Sequence, residues 1–216
     1  MASIYGVHSR SASYASKPVY AEAPQEAVAL VRAMKDLVRV LEPHVALALW
    51  ERELPSAFLD RVDRIDLGSV DDLDVTTDVF VSGATLAASL LACGYPGEAA
   101  SLLAADMLQV GSQLASLVGT MRVRMRLEVV ETDACRKFHA DHVTLRLLAT
   151  YRGPATQWSR TVRRDTVEQI GRGAAAVLKG RLMMEEPRIL HRSPPISGTG
   201  ERRLLLTIDP PRQSAA

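Results

Sequence analysis

Aromatic residues make up only 5% of the 216-residue chain, and cysteine occurs twice, as Cys93 and Cys135. Two thiols make no disulfide framework and suit a reducing compartment. With aromatics this sparse and a formal net charge of +1, nothing global points to nucleic acid or to a membrane surface. The most apolar region, residues 79–118, is cut by Gly94, Pro96, Gly97, Glu98 and Asp106, so it lacks the uninterrupted span of about 20 residues that crosses a bilayer. The first twenty residues have no apolar core and do not form a secretory signal. A disordered start over residues 1–20 and a cytoplasmic protein are the expectations.

What is present is unevenly distributed. Residues 1–119 hold 8 Lys+Arg against 15 Asp+Glu, a balance of −7, while residues 120–216 hold 18 against 10, a balance of +8. Complementary packing of the two halves explains this, and so does a basic half surrounding an anionic ligand.

The two halves also differ in periodicity. Pro24 suits a helix first turn, and Ala27, Leu30, Val31, Met34, Leu37, Val38 and Leu41 recur at helical spacing. Val45–Trp50 reads as a short buried strand, and Pro55 opens a helix through Phe58, Leu59 and Val62. Residues 66–78, with Asp66, Asp71, Asp72, Asp74 and Asp78, read as an acidic connecting loop without the spaced ligands of a calcium site. Residues 85–93 and 97–118 then form a helical hairpin turned at Gly94–Gly97. From Met121 the period becomes two, with Met121, Val123, Met125, Leu127 and Val129 alternating with arginines and a glutamate, which predicts a half-buried strand. Further strands are expected at 142–151, 174–178, 188–191 and 203–208.

The fold expected is α+β, with N-terminal helices backing a C-terminal double-stranded β-helix, or jelly roll. Residues 21–119 would be a mainly helical part packing on the roll, 120–210 the roll itself and 211–216 a tail, all in one structural domain.

The stretch Cys135-Arg-Lys-Phe-His139-Ala-Asp141-His142 carries the chemistry. In extended backbone His139 and Asp141 point to one face. His191 is the obvious third ligand, and two histidines with one carboxylate leave coordination positions open, as non-haem iron(II) oxygenases require. If the strand starts early, Cys135 joins the same face, and Cys135, His139, Asp141 and His191 would make a closed tetrahedral zinc set. Arg202 and Arg203 alternate faces, and one of them could aim a guanidinium into the roll to hold a carboxylate. Arg146 reads as a strand residue paired with a carboxylate, or as one that orients substrate. Trp158 reads as a core or rim aromatic, or as a substrate contact.

The order His139-x-Asp141, Arg146, Thr150-Tyr151, Gly153-Pro-Ala-Thr156-Gln-Trp158, Leu190-His191 and Gly200-Glu-Arg-Arg203-Leu-Leu-Leu-Thr207 resembles the 2-oxoglutarate- and iron(II)-dependent dioxygenases of the prolyl-hydroxylase type, over about residues 120–209. Lys-Phe-His139-Ala-Asp141-His and His191-Arg-Ser-Pro-Pro are also similar to an uncharacterised bacterial family of unknown function. The dioxygenase resemblance implies iron on His139, Asp141 and His191. It further implies the distal carboxylate of 2-oxoglutarate on Arg203, with Tyr151 and Thr207 beside the co-substrate, and Arg146, Trp158 and Arg202 behind the metal ligands or touching substrate.

The leading expectation is therefore an oxygenase that uses molecular oxygen to hydroxylate an unknown substrate. The alternatives are a non-catalytic zinc-binding or metal-homeostasis protein using Cys135, and an inactive jelly-roll interaction module. Specificity should lie in the rim loops 152–172 and 179–188, where Arg160, Arg163, Arg164, Arg172, Lys179 and Arg181 suggest an anionic substrate. Oligomeric state is left open.

Overall fold

A computed structural model describes residues 26–211 of the protein. The expected disordered start over residues 1–20 lies outside the described residues, as does the tail beyond residue 211. In chain order the elements are β1 (Val28–Val31), a 3-10 helix (Met34–Leu41), β2 (Leu47–Trp50), α1 (Ser56–Asp63), β3 (Leu73–Asp78), α2 (Gly83–Ala92) and α3 (Gly97–Val118). Seven strands follow: β4 (Arg122–Val130), β5 (Leu145–Arg152), β6 (Gln157–Arg160), β7 (Arg163–Gln169), β8 (Ala175–Lys179), β9 (Ile189–Arg192) and β10 (Arg203–Asp209).

A seven-stranded sheet runs β1-β2-β8-β5-β10-β4-β3, and a three-stranded sheet runs β7-β6-β9. All pairings are antiparallel except β1 with β2. The large sheet has two different faces, because successive side chains alternate. Val123, Met125 and Leu127 of β4, Leu145, Leu147, Ala149 and Tyr151 of β5, and Leu204, Leu206 and Ile208 of β10 share one apolar core with α1, α2 and α3. Burial of this kind contributes about 25 cal/mol per Å² of apolar surface. Gly111 is the point of closest approach: a Cβ there would lie 2.4 Å from the Met125 methyl, so α3 rests directly on β4.

The opposite face looks toward the small sheet. Leu47, Leu49, Leu148, Ala176 and Leu178 from the large sheet pack with Trp158 and Ile189 from the small one. Beyond that apolar patch the same face turns polar, with Arg124 and Arg126 of β4, Arg146 of β5 and Thr207 and Asp209 of β10 lining cavities.

Several expectations change. Of the helix expected from Pro24 to Leu41, Pro24 lies outside the described residues, and Val28–Val31 is a strand followed by the 3-10 helix Met34–Leu41. Residues 66–78 are not all loop, because Leu73–Asp78 forms β3 as the edge partner of β4. The acid-rich strand is tolerated because it lies beside the arginine row of β4: Asp74 pairs with Arg124 through both carboxylate oxygens. Residues 21–119, expected as mainly helical, thus also supply β1, β2 and β3. The loop expected over 152–172 contains the β6–β7 hairpin. No helix among the described residues is long and apolar enough to cross a membrane.

Candidate metal centre and the cavities beside it

His139 and His191 are brought together by the backbone before their side chains meet. His139 N–H donates to the His191 carbonyl at 3.0 Å and His191 N–H donates to the His139 carbonyl at 2.9 Å, a reciprocal antiparallel bridge. The rings then lie 4.6 Å apart, centroid to centroid. Residues around His139 form no continuous strand; the segment is tied down at other points. Asp133 accepts from the Ile196 and Ser197 amides at 2.8 and 2.9 Å, which fastens the approach to His139 onto the chain beyond His191. These two amides hold its carboxyl below the usual range.

Asp141 completes the cluster. Its Oδ1 lies 3.7 Å from His139 Nε2 and its Oδ2 3.1 Å from His191 Nε2. One ligand atom from each of the three residues falls within 4.8 Å of the other two. His139 Nδ1 sits 2.8 Å from the Lys137 carbonyl, which in the neutral ring makes Nδ1 the protonated nitrogen and leaves the Nε2 lone pair for a ligand. Arg146 fixes the carboxylate: Nη1 reaches Asp141 Oδ1 at 2.6 Å, while Nε and Nη2 bind both oxygens of Asp209 at 2.7 and 2.8 Å. Asp141 Oδ2 is buried and, among the described residues, makes no hydrogen bond of good geometry. Burial acts to raise the Asp141 carboxyl, but His191, Arg146 and His139 outweigh it and hold it at about 2. A metal arriving at neutral pH therefore meets an ionised oxygen with no proton to displace.

Cys135 is not in this cluster. Its side chain is exposed on the wall of a cavity of about 460 Å³ that His139, Arg146, His191 and Thr207 also line. Without a regular strand from 135 to 141, the common face expected for these residues does not form, and the four-ligand zinc set is not assembled.

Arg203 is completely buried in the same region. Its Nε donates to the Pro154 carbonyl at 2.5 Å, Nη1 to Ser193 Oγ at 2.7 Å and Nη2 to Thr156 Oγ1 at 3.2 Å. All three acceptors are neutral, and burial drives its pKa down to about 10. Ser193 and Thr156 line the 460 Å³ cavity, and Ser193 lies two residues beyond His191 on the same side of the chain, about 7 Å along an extended backbone. Gly153 makes this placement feasible: at φ +78° it turns the chain, and a Cβ there would stand 2.2 Å from the Arg202 carbonyl.

The remaining expected residues divide. Thr207 lines the cavity. Tyr151 does not: it faces the helices, where its hydroxyl donates to Asp106 Oδ2 at 2.6 Å, so the co-substrate contact expected of it is not available from that side of the sheet. Arg202 is an exposed residue paired with Glu131 at 2.8 Å, and Trp158 is buried between the sheets under the Arg160 guanidinium, so neither is placed to touch a substrate. Three of the six basic rim residues are engaged. Arg160 pairs with Glu168, Arg172 with Asp63, and the Lys179 ammonium with the Glu42 carbonyl.

Asp209, Ser193, Thr156, Arg126 and Asp133 were not singled out by sequence reasoning. For Asp209 and Arg126 the signal was parity along β10 and β4.

Comparison with known proteins places this geometry in context. A Shewanella oneidensis protein described as a candidate oxygenase superposes with a TM-score of 0.50 at 11% identity, covering 88% of this chain and 91% of that one, and shares its fold. The Arabidopsis thaliana dioxygenase for auxin oxidation 1, solved as a complex with 2-oxoglutarate, gives a TM-score of 0.48 at 12% identity over 88% and 94%. A Pseudomonas putida prolyl-4-hydroxylase gives 0.45 at 12% over 84% and 100%. No curated protein matches the chain. Residues 32–209 match the model of a family of proteins of unknown function, DUF1826, and the chain belongs to that family.

Proposed function

We propose that the protein is a 2-oxoglutarate-dependent, iron(II)-dependent oxygenase acting on a C–H bond of its substrate. One observation carries the reading: His139, Asp141 and His191 bring two imidazoles and a carboxylate within 4.8 Å of one another, and the fully buried Arg203 guanidinium, with no carboxylate partner among the described residues, is bound by Ser193 and Thr156, which line the cavity beside that cluster. Two imidazoles and one carboxylate suit iron(II) with open positions, and Asp141 Oδ2, which faces His191 Nε2 at 3.1 Å, is the oxygen such an ion would take. His139, Asp141 and His191 would hold the metal, which when bound supplies oxygen activation and chelates a 2-oxo acid.

The chain's own residues do the rest. Arg146 occupies Asp141 Oδ1 and so directs Oδ2 alone to the metal. The Lys137 carbonyl sets the tautomer of His139. Arg203 would pair through its fork with the distal carboxylate of 2-oxoglutarate, a charge-assisted contact about twice as strong as a neutral one, with Thr156, Ser193 and Thr207 offering hydroxyls around it.

The test is anaerobic titration of the metal-free chain with iron(II) and then 2-oxoglutarate, followed by the visible charge-transfer band of a chelated 2-oxo acid. The band is expected in the native chain and absent in Asp141→Ala. A native chain that binds neither iron(II) nor 2-oxoglutarate would end this reading.

A further inference from the structure

A second cavity of about 630 Å³ adjoins the metal centre from the other side. Arg126 and Arg146 line both cavities, and Asp141 faces the second. Its volume falls within the range of small-molecule sites, about 300–1,000 Å³. Apolar surface comes from Val143, Leu182, Pro210 and Pro211, and polar surface from three guanidinium groups, His142, Thr144, Asp141 and Asp209.

The three arginines are not equally committed. Arg146 is saturated by Asp141 and Asp209 at 2.6–2.8 Å. Arg124 forms a two-pronged pair with Asp74. Arg126 has only long contacts, 3.2 Å to Asp209 and 3.4 Å to Glu128, and its Nε is buried without an acceptor. Asp209 cannot neutralise Arg126 fully, because both of its oxygens already serve Arg146. Of the guanidinium groups that line this cavity, Arg126 is the one that keeps a buried N–H without an acceptor.

We infer that this second cavity receives the substrate, and that the substrate is a small organic acid whose carboxylate pairs with Arg126 while its apolar body lies on Val143, Leu182 and Pro210. The inference rests on the oxygenase reading and gives that site a substrate class. It moves the basis for an anionic substrate from the rim, where Arg160 and Arg172 are already paired, to the wall between the cavities. A carboxylate on Arg126 would hold the adjoining carbon chain beside Asp141, the metal ligand that faces this cavity.

The probes are straight-chain acids from butyrate to octanoate and their primary amides, added to the full chain holding iron(II) and 2-oxoglutarate without oxygen. Binding is read from broadening of the probe NMR signals by the paramagnetic metal. At least one acid should bind about tenfold tighter than its amide, as expected for a charge-assisted contact. Arg126→Gln should erase that preference with the charge-transfer band intact, Arg126→Lys should keep part of it, and Arg163→Gln on exposed β7 should leave it unchanged. Acids binding no better than amides, or a preference that survives in Arg126→Gln, would overturn the substrate assignment alone if the band persists. Absence of the band in the native chain would remove the oxygenase reading on which it rests.

Discussion

Two buried arginines on opposite faces of the same sheet have opposite electrostatic surroundings. Arg52, on the helix face, binds both oxygens of Asp106 at 2.5 and 2.7 Å and the Gly173 carbonyl at 2.8 Å. Tyr151 closes that group by donating to the same carboxylate. Arg203, on the inner face, is more deeply buried yet has only neutral oxygens around it. A buried cation with its counter-anion built in serves packing and register, whereas one without a counter-anion leaves a place for an anion from outside. On the helix face the buried cation carries its own anion; on the inner face Arg203 has none among the described residues.

Substitutions on the two faces should have different costs. The largest effect expected is on the helix face. Asp106→Ala strands the Arg52 guanidinium and should cost about 3–5 kcal/mol in stability, read by denaturant unfolding; a loss under about 1 kcal/mol would mean that the pair is not a closed structural unit. Arg146→Gln should come next, lowering iron(II) affinity by about 10–100-fold because Asp141 loses the contact that orients it. Unchanged iron affinity there would show that the carboxylate is held by its backbone alone, through the Arg181 amide at 2.8 Å.

Arg203→Met removes hydrogen bonds to three neutral acceptors but strands no buried charge, so it should cost the ligand-free chain about 1–3 kcal/mol, less than Asp106→Ala. A destabilisation as large as that of Asp106→Ala would make Arg203 a structural residue like Arg52. Arg202→Ala, on the exposed pair with Glu131, should move stability by less than about 1 kcal/mol and leave iron(II) affinity where it was.

The same two faces explain what was legible in the sequence. The alternation of β4 was readable because Val123, Met125 and Leu127 serve the helix face while Arg124 and Arg126 line the inner cavities. The parity of β5 was equally available: Arg146 and Tyr151 differ by five positions, so they cannot both point into the roll, and Tyr151 belonged with the helices. On β10 the same parity separates Arg203 from Arg202.

What stayed hidden depended on contacts distant in sequence. β3 looked like an acidic loop because the arginines beside it lie about fifty residues later. The first strand looked helical because four residues of edge strand and a 3-10 turn happened to space their apolar residues at three and four. His139 and Asp141 were found for a partly mistaken reason. They converge through the bridge to His191 and the grip of Arg146, in a segment without a regular strand of its own.

The central claim is that the unpaired Arg203 and the His139–Asp141–His191 cluster hold the two ends of one co-substrate. The most direct measurement is anaerobic calorimetric titration of 2-oxoglutarate into the iron(II)-loaded native chain and into Arg203→Met. Saturable binding by the native chain, weakened about a hundredfold in the variant at unchanged iron stoichiometry, is the predicted result. Equal affinity in the two proteins would contradict it.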